Sequence, residues 1–190
     1  MEKPNSYDDV RVGDYIPPML GGHTCTIKQV KETTSSSGKP MVIVYYDFDN
    51  NDVQPGYFAE AFRSDIRPDK KWPYAGTKWI LTEDNEGQCS KNFKRFITAF
   101  EKSNGCTVSW GKKFEDQFKN KKIGAVFGEV ESEYNGKIST RHEQRWFCEY
   151  DKAPSATVPD FLPLNGGKAN NTPAGFTNVP ADVADEDLPF

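Results

Sequence analysis

Apolar and polar positions alternate most clearly over residues 41–48. Val42, Val44, Tyr46 and Phe48 form one side, and Met41, Ile43, Tyr45 and Asp47 the other. A period of two predicts a strand. Residues 23–34, with Thr24, Thr26, Ile27, Val30, Thr33 and Thr34, are rich in β-branched side chains and predict an earlier strand. Ser35-Ser36-Ser37-Gly38-Lys39-Pro40 is the turn between them. Asn50-Asn51-Asp52 ends the second strand, and residues 57–62 predict a short third one. The period then changes. Phe93, Phe96, Ile97 and Phe100 fall at i, i+3, i+4 and i+7, the apolar stripe of a helix over residues 91–103. Ser90 suits its N-cap and Asn104-Gly105 its stop. A second short helix is expected over residues 112–120. Residues 123–134 and 137–150 flank Asn135-Gly136, the strongest short hairpin signal.

A two-residue hairpin loop places Tyr134 opposite Lys137 and assigns both faces by register. One face then carries Ile123, Ala125, Phe127, Ile138, Trp146 and Cys148 and belongs to the core. The other carries Gly124, Val126, Val130, Tyr134, Lys137, Arg141, Arg145 and Phe147. Three strands, a helix and two strands make a mainly β chain in the order of a five-stranded OB-fold barrel, with the helix between strands 3 and 4.

Composition divides the chain in three. Residues 1–152 are the expected barrel domain, led by an irregular arm over residues 1–22 that ends in Pro17-Pro18 and Gly21-Gly22. From residue 153 the chain turns rich in Pro, Asn and Gly and has no Tyr or Trp. Six of the thirteen prolines lie there, so residues 153–184 read as a disordered linker before a tip at residues 185–190. The net charge of −4 resides wholly beyond residue 152, where one Lys meets four Asp and one Glu. Residues 1–152 balance 23 basic against 23 acidic residues, and a neutral body can still present a basic groove.

Cys25, Cys89, Cys106 and Cys148 lack the spacing of a zinc or redox motif, and His23 and His142 lie far apart. His23 and Cys25 read as edge-strand residues. Neither a metal nor a cofactor is expected. Scattered thiols, the lack of an apolar run able to span a bilayer, and Met1-Glu2-Lys3-Pro4-Asn5 without a secretory core point to the cytoplasm and away from membranes.

The body carries the ingredients for holding single strands: aromatic faces for bases and cations for phosphates. Lys70, Lys71, Trp72 and Tyr74 share one loop, where the alternative is a solvated lysine pair with the indole tucked inward. Lys39 sits in the first turn. Tyr45 faces away from Val42 and Val44. Tyr134, Lys137, Arg141, Arg145 and Phe147 share one hairpin face, where Gly124 and Gly128 would let a ligand approach the backbone. Glu129, Glu131 and Glu133 alternate near the hairpin tip and read as a solvated rim. Ser37-Gly38-Lys39 lacks the rest of a P-loop, so no catalysis is expected.

Asp185, Glu186 and Asp187 run into Leu188, Pro189 and Phe190. Such a tip offers carboxylates to an Arg or Lys cluster and a ring to an apolar pocket. The ending closely resembles the acidic tip of bacterial and phage single-stranded DNA-binding proteins, and Gly38-Lys39-Pro40-Met41-Val42 and Lys70-Lys71-Trp72-Pro73 give the body a phage or mobile-element look. The resemblance implies a non-enzymatic protein that coats single-stranded DNA. Its tip would recruit replication, recombination or repair enzymes of the helicase, primase, exonuclease or recombination-mediator class. It carries over only to the six tip residues, and homo-oligomerisation stays open. The alternative is an OB-fold interaction protein, such as an annealing or loading factor, without strong affinity for DNA.

Overall fold

A computed structural model describes residues 15–164. Residues 1–14 of the expected arm lie outside the described residues. So do residues 165–190, with the tip Asp185, Glu186, Asp187, Leu188, Pro189 and Phe190.

Strands β1 (Gly21–Thr34), β2 (Pro40–Phe48), β3 (Thr77–Leu81), β4 (Lys122–Tyr134) and β5 (Lys137–Cys148) form one antiparallel sheet in the order β3-β2-β1-β4-β5. Helix α1 (Tyr57–Ser64) follows β2, and α2 (Lys91–Asn104) lies between β3 and β4. The mainly β content, the five strands and the position of α2 are as expected. The closed barrel is not formed. β3 and β5 are the two edges, and among the described residues no ladder joins them. The Lys78 side chain crosses the gap: its Nζ donates to Gln144 O at 2.7 Å.

The expected strand over residues 57–62 is the helix α1. Ala59 and Ala61 favour a helix, and Phe58 and Phe62 lie at i, i+4 as readily as in an alternating pattern. The first amides of a helix lack partners within it. Here the Phe58 amide is satisfied from a distance, by Asp47 Oδ1 of β2 at 2.9 Å. The third strand is supplied by Thr77–Leu81. The helix expected over residues 112–120 shortens to a 3-10 turn, Glu115–Phe118.

α2 forms where expected. Ser90 Oγ accepts from the Phe93 amide, and Gly105 stops the helix at φ 59°. Its stripe of Phe93, Phe96, Ile97 and Phe100 is buried, each side chain contributing about 1.5–3 kcal/mol of burial. Phe96 meets Phe118 at 5.5 Å and Phe147 at 5.3 Å between ring centroids. The sheet adds Cys25, Ile27, Val30, Val42, Val44, Tyr46 and Phe48 from one face of β1 and β2.

His23 is not an edge residue, because β1 is the central strand. Its ring stacks on Phe48 at 4.0 Å, and its nitrogens lie 2.9 Å from Asp52 Oδ1 and 2.9 Å from Met19 O. Neither is left for a metal, and among the described residues no His, Cys, Asp and Glu cluster could hold one. All four cysteines are free.

The expected domain boundary at residues 152/153 falls inside a 3-10 turn, Tyr150–Ser155. Beyond it the chain stays on the sheet. The Glu131 amide donates to Leu162 O at 2.9 Å, the Leu162 amide to Glu129 O at 3.0 Å, and the Leu164 amide to Glu131 Oε2 at 3.0 Å. Among the described residues no helix is long and apolar enough to cross a membrane.

Candidate nucleic-acid interface

The outer face of β1, β2 and β3 gathers aromatic rings and cations that are far apart in sequence. In register, Ile43 of β2 lies between Lys31 of β1 and Trp79 of β3, and Tyr45 lies between Gln29 and Thr77. Lys31 Nζ stands 5.9 Å from the centroid of the Tyr45 ring. Burial pushes the Tyr45 phenol above its ordinary pKa. The Trp79 ring lies 5.3 Å from that of Tyr74, tilted by 34°. Tyr74 belongs to the 3-10 turn Tyr74–Gly76 that leads into β3. Over Tyr74, from across the open edge, stands the Arg141 guanidinium of β5 at 5.4 Å. Such contacts contribute about 0.5–1 kcal/mol at exposed sites. Arg141 also pairs with Glu143 at 3.2 Å, a half-exposed pair that contributes little to stability but holds the guanidinium in place.

The row therefore has two parts, Lys31 with Tyr45 and Trp79 with Tyr74 and Arg141, and Tyr45 lies diagonal to Trp79 across the β2–β3 ladder. Tyr45, Tyr74 and Arg141 are expected members; Trp79 is not. In β3 the polarity of the alternation is reversed, with Lys78 beside buried Val44 on the core side and Trp79 turned outward. Tyr134 and Lys137 face one another at the hairpin tip, on the same side as Arg141, and both are exposed. Asn135 at φ 50° and Gly136 at φ 74° form the two-residue turn that their sequence predicts.

The remaining candidates are placed elsewhere. Lys39 Nζ is tied to Asn85 Oδ1 in the loop before α2. The Lys70–Tyr74 stretch is split. Lys70 and Lys71 are exposed, with Lys70 Nζ 4.9 Å over the Phe62 ring. Trp72 is turned inward, donating from Nε1 to Tyr46 O at 3.2 Å and Gly76 O at 3.1 Å and packing on the core. The indole N–H is spent on backbone carbonyls and the partly buried ring packs on the core, apart from the exposed Lys70 and Lys71.

The hairpin faces are corrected by a β-bulge. Phe127 pairs with Gln144, but Val126 pairs with Trp146, so Arg145 is an extra residue. One inserted residue exchanges the faces beyond it. Phe147 joins Ala125 on the core side at 3% exposure, while Trp146 and Cys148 leave it. Ile138, at 64% exposure, lies too near the tip to reach the core. Arg145 Nη1 donates to Asp160 O at 3.2 Å, and burial lowers its pKa against the pull of Glu143 and Asp160.

Gly124 and Gly128 do admit a close approach, but to this chain itself. A Cβ on Gly128 would lie 3.0 Å from the Pro159 ring, and one on Gly124 would lie 2.8 Å from Glu149 O and 2.9 Å from Ala153 Cβ. Residues 153–159 thus cover the base of the hairpin face expected to take a ligand, at Gly124 and Gly128. The outer face of β1, β2 and β3, extended by Arg141 and the hairpin tip, is the arrangement that can stack planar rings beside cations. No family model and no curated protein sequence matches this chain.

Proposed function

We propose that this chain is a non-enzymatic, sequence-independent single-stranded DNA-binding protein built on an open OB-fold. On this reading it protects single strands in a bacterial or phage-infected cytoplasm and recruits replication, recombination or repair enzymes through residues 185–190. The strand order β3-β2-β1-β4-β5 with α2 after β3 supports the fold reading, since an OB-fold is a five-stranded, partly open barrel. That fold holds oligonucleotides on its strand 2–3 face and on the loops between strands 1 and 2 and between strands 4 and 5.

The observation that carries the reading is the row Tyr45, Trp79, Tyr74, bracketed by Lys31 and Arg141. Bases stack on such rings at about 1–3 kcal/mol each. Lys31, Arg141 and Lys137 displace the counterions of the phosphates. Because those counterions are released, binding weakens as salt rises; at Arg141 a phosphate also competes with Glu143. Titration with oligo-dT tests the proposal. The expected result is quenching of tryptophan emission, an affinity that falls linearly with salt on a log–log plot, and weaker binding to duplex DNA. Unchanged emission and anisotropy at about 20 mM salt, where such contacts are least screened, would refute it and favour the annealing or loading factor.

A further inference from the structure

Beyond Lys31 the face of β1, β2 and β3 continues into a second group of rings and cations. β1 pairs with β4 only from Gly21 to Thr26, so the backbone of its later half needs other partners. The segment after α2 supplies them. The Asn120 amide donates to Ile27 O and the Ile27 amide to Lys121 O, both at 2.8 Å. The Glu32 amide, next to Lys31, donates to Glu115 Oε1 at 2.5 Å. The turn that precedes Glu115 is thereby held beside the Lys31 end of the row.

That turn carries an indole in the open. Trp110 is 67% exposed, yet the backbone on either side of it is fixed. Gln117 clamps the preceding residue: its Oε1 accepts from the Ser109 amide at 2.8 Å, and its Nε2 donates to Ser109 O at 2.9 Å and to Phe114 O at 2.8 Å. Glu101 Oε1 of α2 accepts from the Val108 amide at 2.9 Å. Gly111, at φ 109°, turns the chain back, and the Phe114 amide donates to Gly111 O at 2.8 Å. One face of the indole rests on the buried Phe114 ring, with centroids 5.5 Å apart and planes within 15°. Phe93 of α2 stands 6.2 Å away. An aromatic ring held still and left to solvent forgoes part of its own burial, but it meets a flat partner with little ordering left to do.

Cations surround the ring. Lys112 and Lys113 follow it in the turn and are exposed, and residues 105–114 contain no acid. Lys91 and Lys94 occupy the first turn of α2, again without an acid. Lys94 lies on the Glu101 side of the helix, at i, i+7, where the Val108 segment is attached. A duplex offers such a ring no unstacked base. A single strand offers both a base for the indole and phosphates for the ammonium groups.

We propose that Trp110 is a further base-stacking position, with Lys94, Lys112 and Lys113 on the adjoining phosphates, so that a DNA single strand crossing the row continues past Lys31 onto this turn. The inference rests on the single-strand reading given above and extends its site.

Anisotropy titration with oligo-dT of about 12 nucleotides, within the range that OB-folds occupy, tests it. W110A is expected to weaken binding about 5- to 100-fold, the effect of one stacked base, and W110F to recover most of that loss. K112Q/K113Q is expected to reduce the log–log salt slope by about one to two. Unfolding midpoints of all three variants are expected to match the wild type. Ultraviolet cross-linking of the wild type to an iododeoxyuridine oligonucleotide of the same length, read by peptide mass spectrometry, is expected to mark Trp110 as well as rings of the row. Links to the row without a link to Trp110, or wild-type affinity in W110A, would overturn the extension and leave the row standing. A W110A loss that W110F does not recover would make Trp110 a structural support and overturn its stacking role. No binding by the wild type at about 20 mM salt, where such contacts are least screened, would overturn the single-strand reading itself and this extension with it.

Discussion

Lys78 Nζ donates to the backbone carbonyl of Gln144 at 2.7 Å, so a β3 side chain bridges to β5 where a ladder would have closed a barrel. The carbonyl it meets is beside the bulged Arg145. Burial lowers the pKa of Lys78, with a further push from Arg145 opposed by Glu143. The unfolded chain therefore binds more protons than the folded one just below the ordinary lysine value of about 10.4. The Lys78 contribution to stability rises with pH through that window. Urea unfolding across it is expected to show this rise in the wild type and not in Lys78→Met.

Asp52 has the opposite linkage. Burial raises its pKa, but hydrogen bonds from His23, Gln54 and Thr24 together bring it below the ordinary value. Its stabilisation is complete above the unfolded value of about 3.9 and is lost as pH falls through the folded one. Asp52→Asn is expected to be less stable at neutral pH, with the gap narrowing as the solution is acidified toward pH ~2. Acid titrations of thermal unfolding measure it.

The bulge makes a direct prediction about the hairpin. Phe147→Ala empties a core position and is expected to cost about 3–5 kcal/mol. Tyr134→Ala, at the exposed tip, should shift stability by no more than about 0.5 kcal/mol. Denaturant midpoints decide. Equal effects would return Phe147 to the outer face.

Trp72 and Tyr74 are two residues apart and should fail differently. Trp72→Ala is expected to lower stability by about 3 kcal/mol through lost packing, whereas Tyr74→Ala should leave the unfolding midpoint nearly unchanged. The same Tyr74→Ala is expected to weaken oligo-dT binding by about 1–3 kcal/mol. Arg141→Gln should reduce the salt slope by about one. Anisotropy titrations at several salt concentrations separate the effects.

The elements legible in the sequence are those whose signals are local. α2 announces itself by four apolar residues on one stripe, a serine cap and a glycine stop, all within sixteen consecutive positions. Asn135-Gly136 names its own turn because both residues tolerate positive φ. α1 is obscured because its Phe58 amide is satisfied by Asp47, eleven residues away. The bulge at Arg145 has no local signature, and its single residue moved Phe147 from the expected interface into the core. Trp79 escaped notice because the usual assumption puts Trp inside and Lys outside, whereas Lys78 points inward to span the sheet edges. Tyr45, Tyr74 and Arg141 were legible as types. Their assembly into one row depends on β2, the turn before β3 and β5 meeting in space.

Residues 153–164 leave a guest little freedom. Anything laid along the outside of the sheet must stop where Pro159 rests on Gly128, so it cannot encircle the fold. On the function proposed above, a strand held there would enter and leave on the same flank. The stretch it hides should be short, toward the low end of the ~4–16 nucleotides that OB-folds occupy. Successive copies on one strand would all turn the same flank toward it, with their capped backs facing solution.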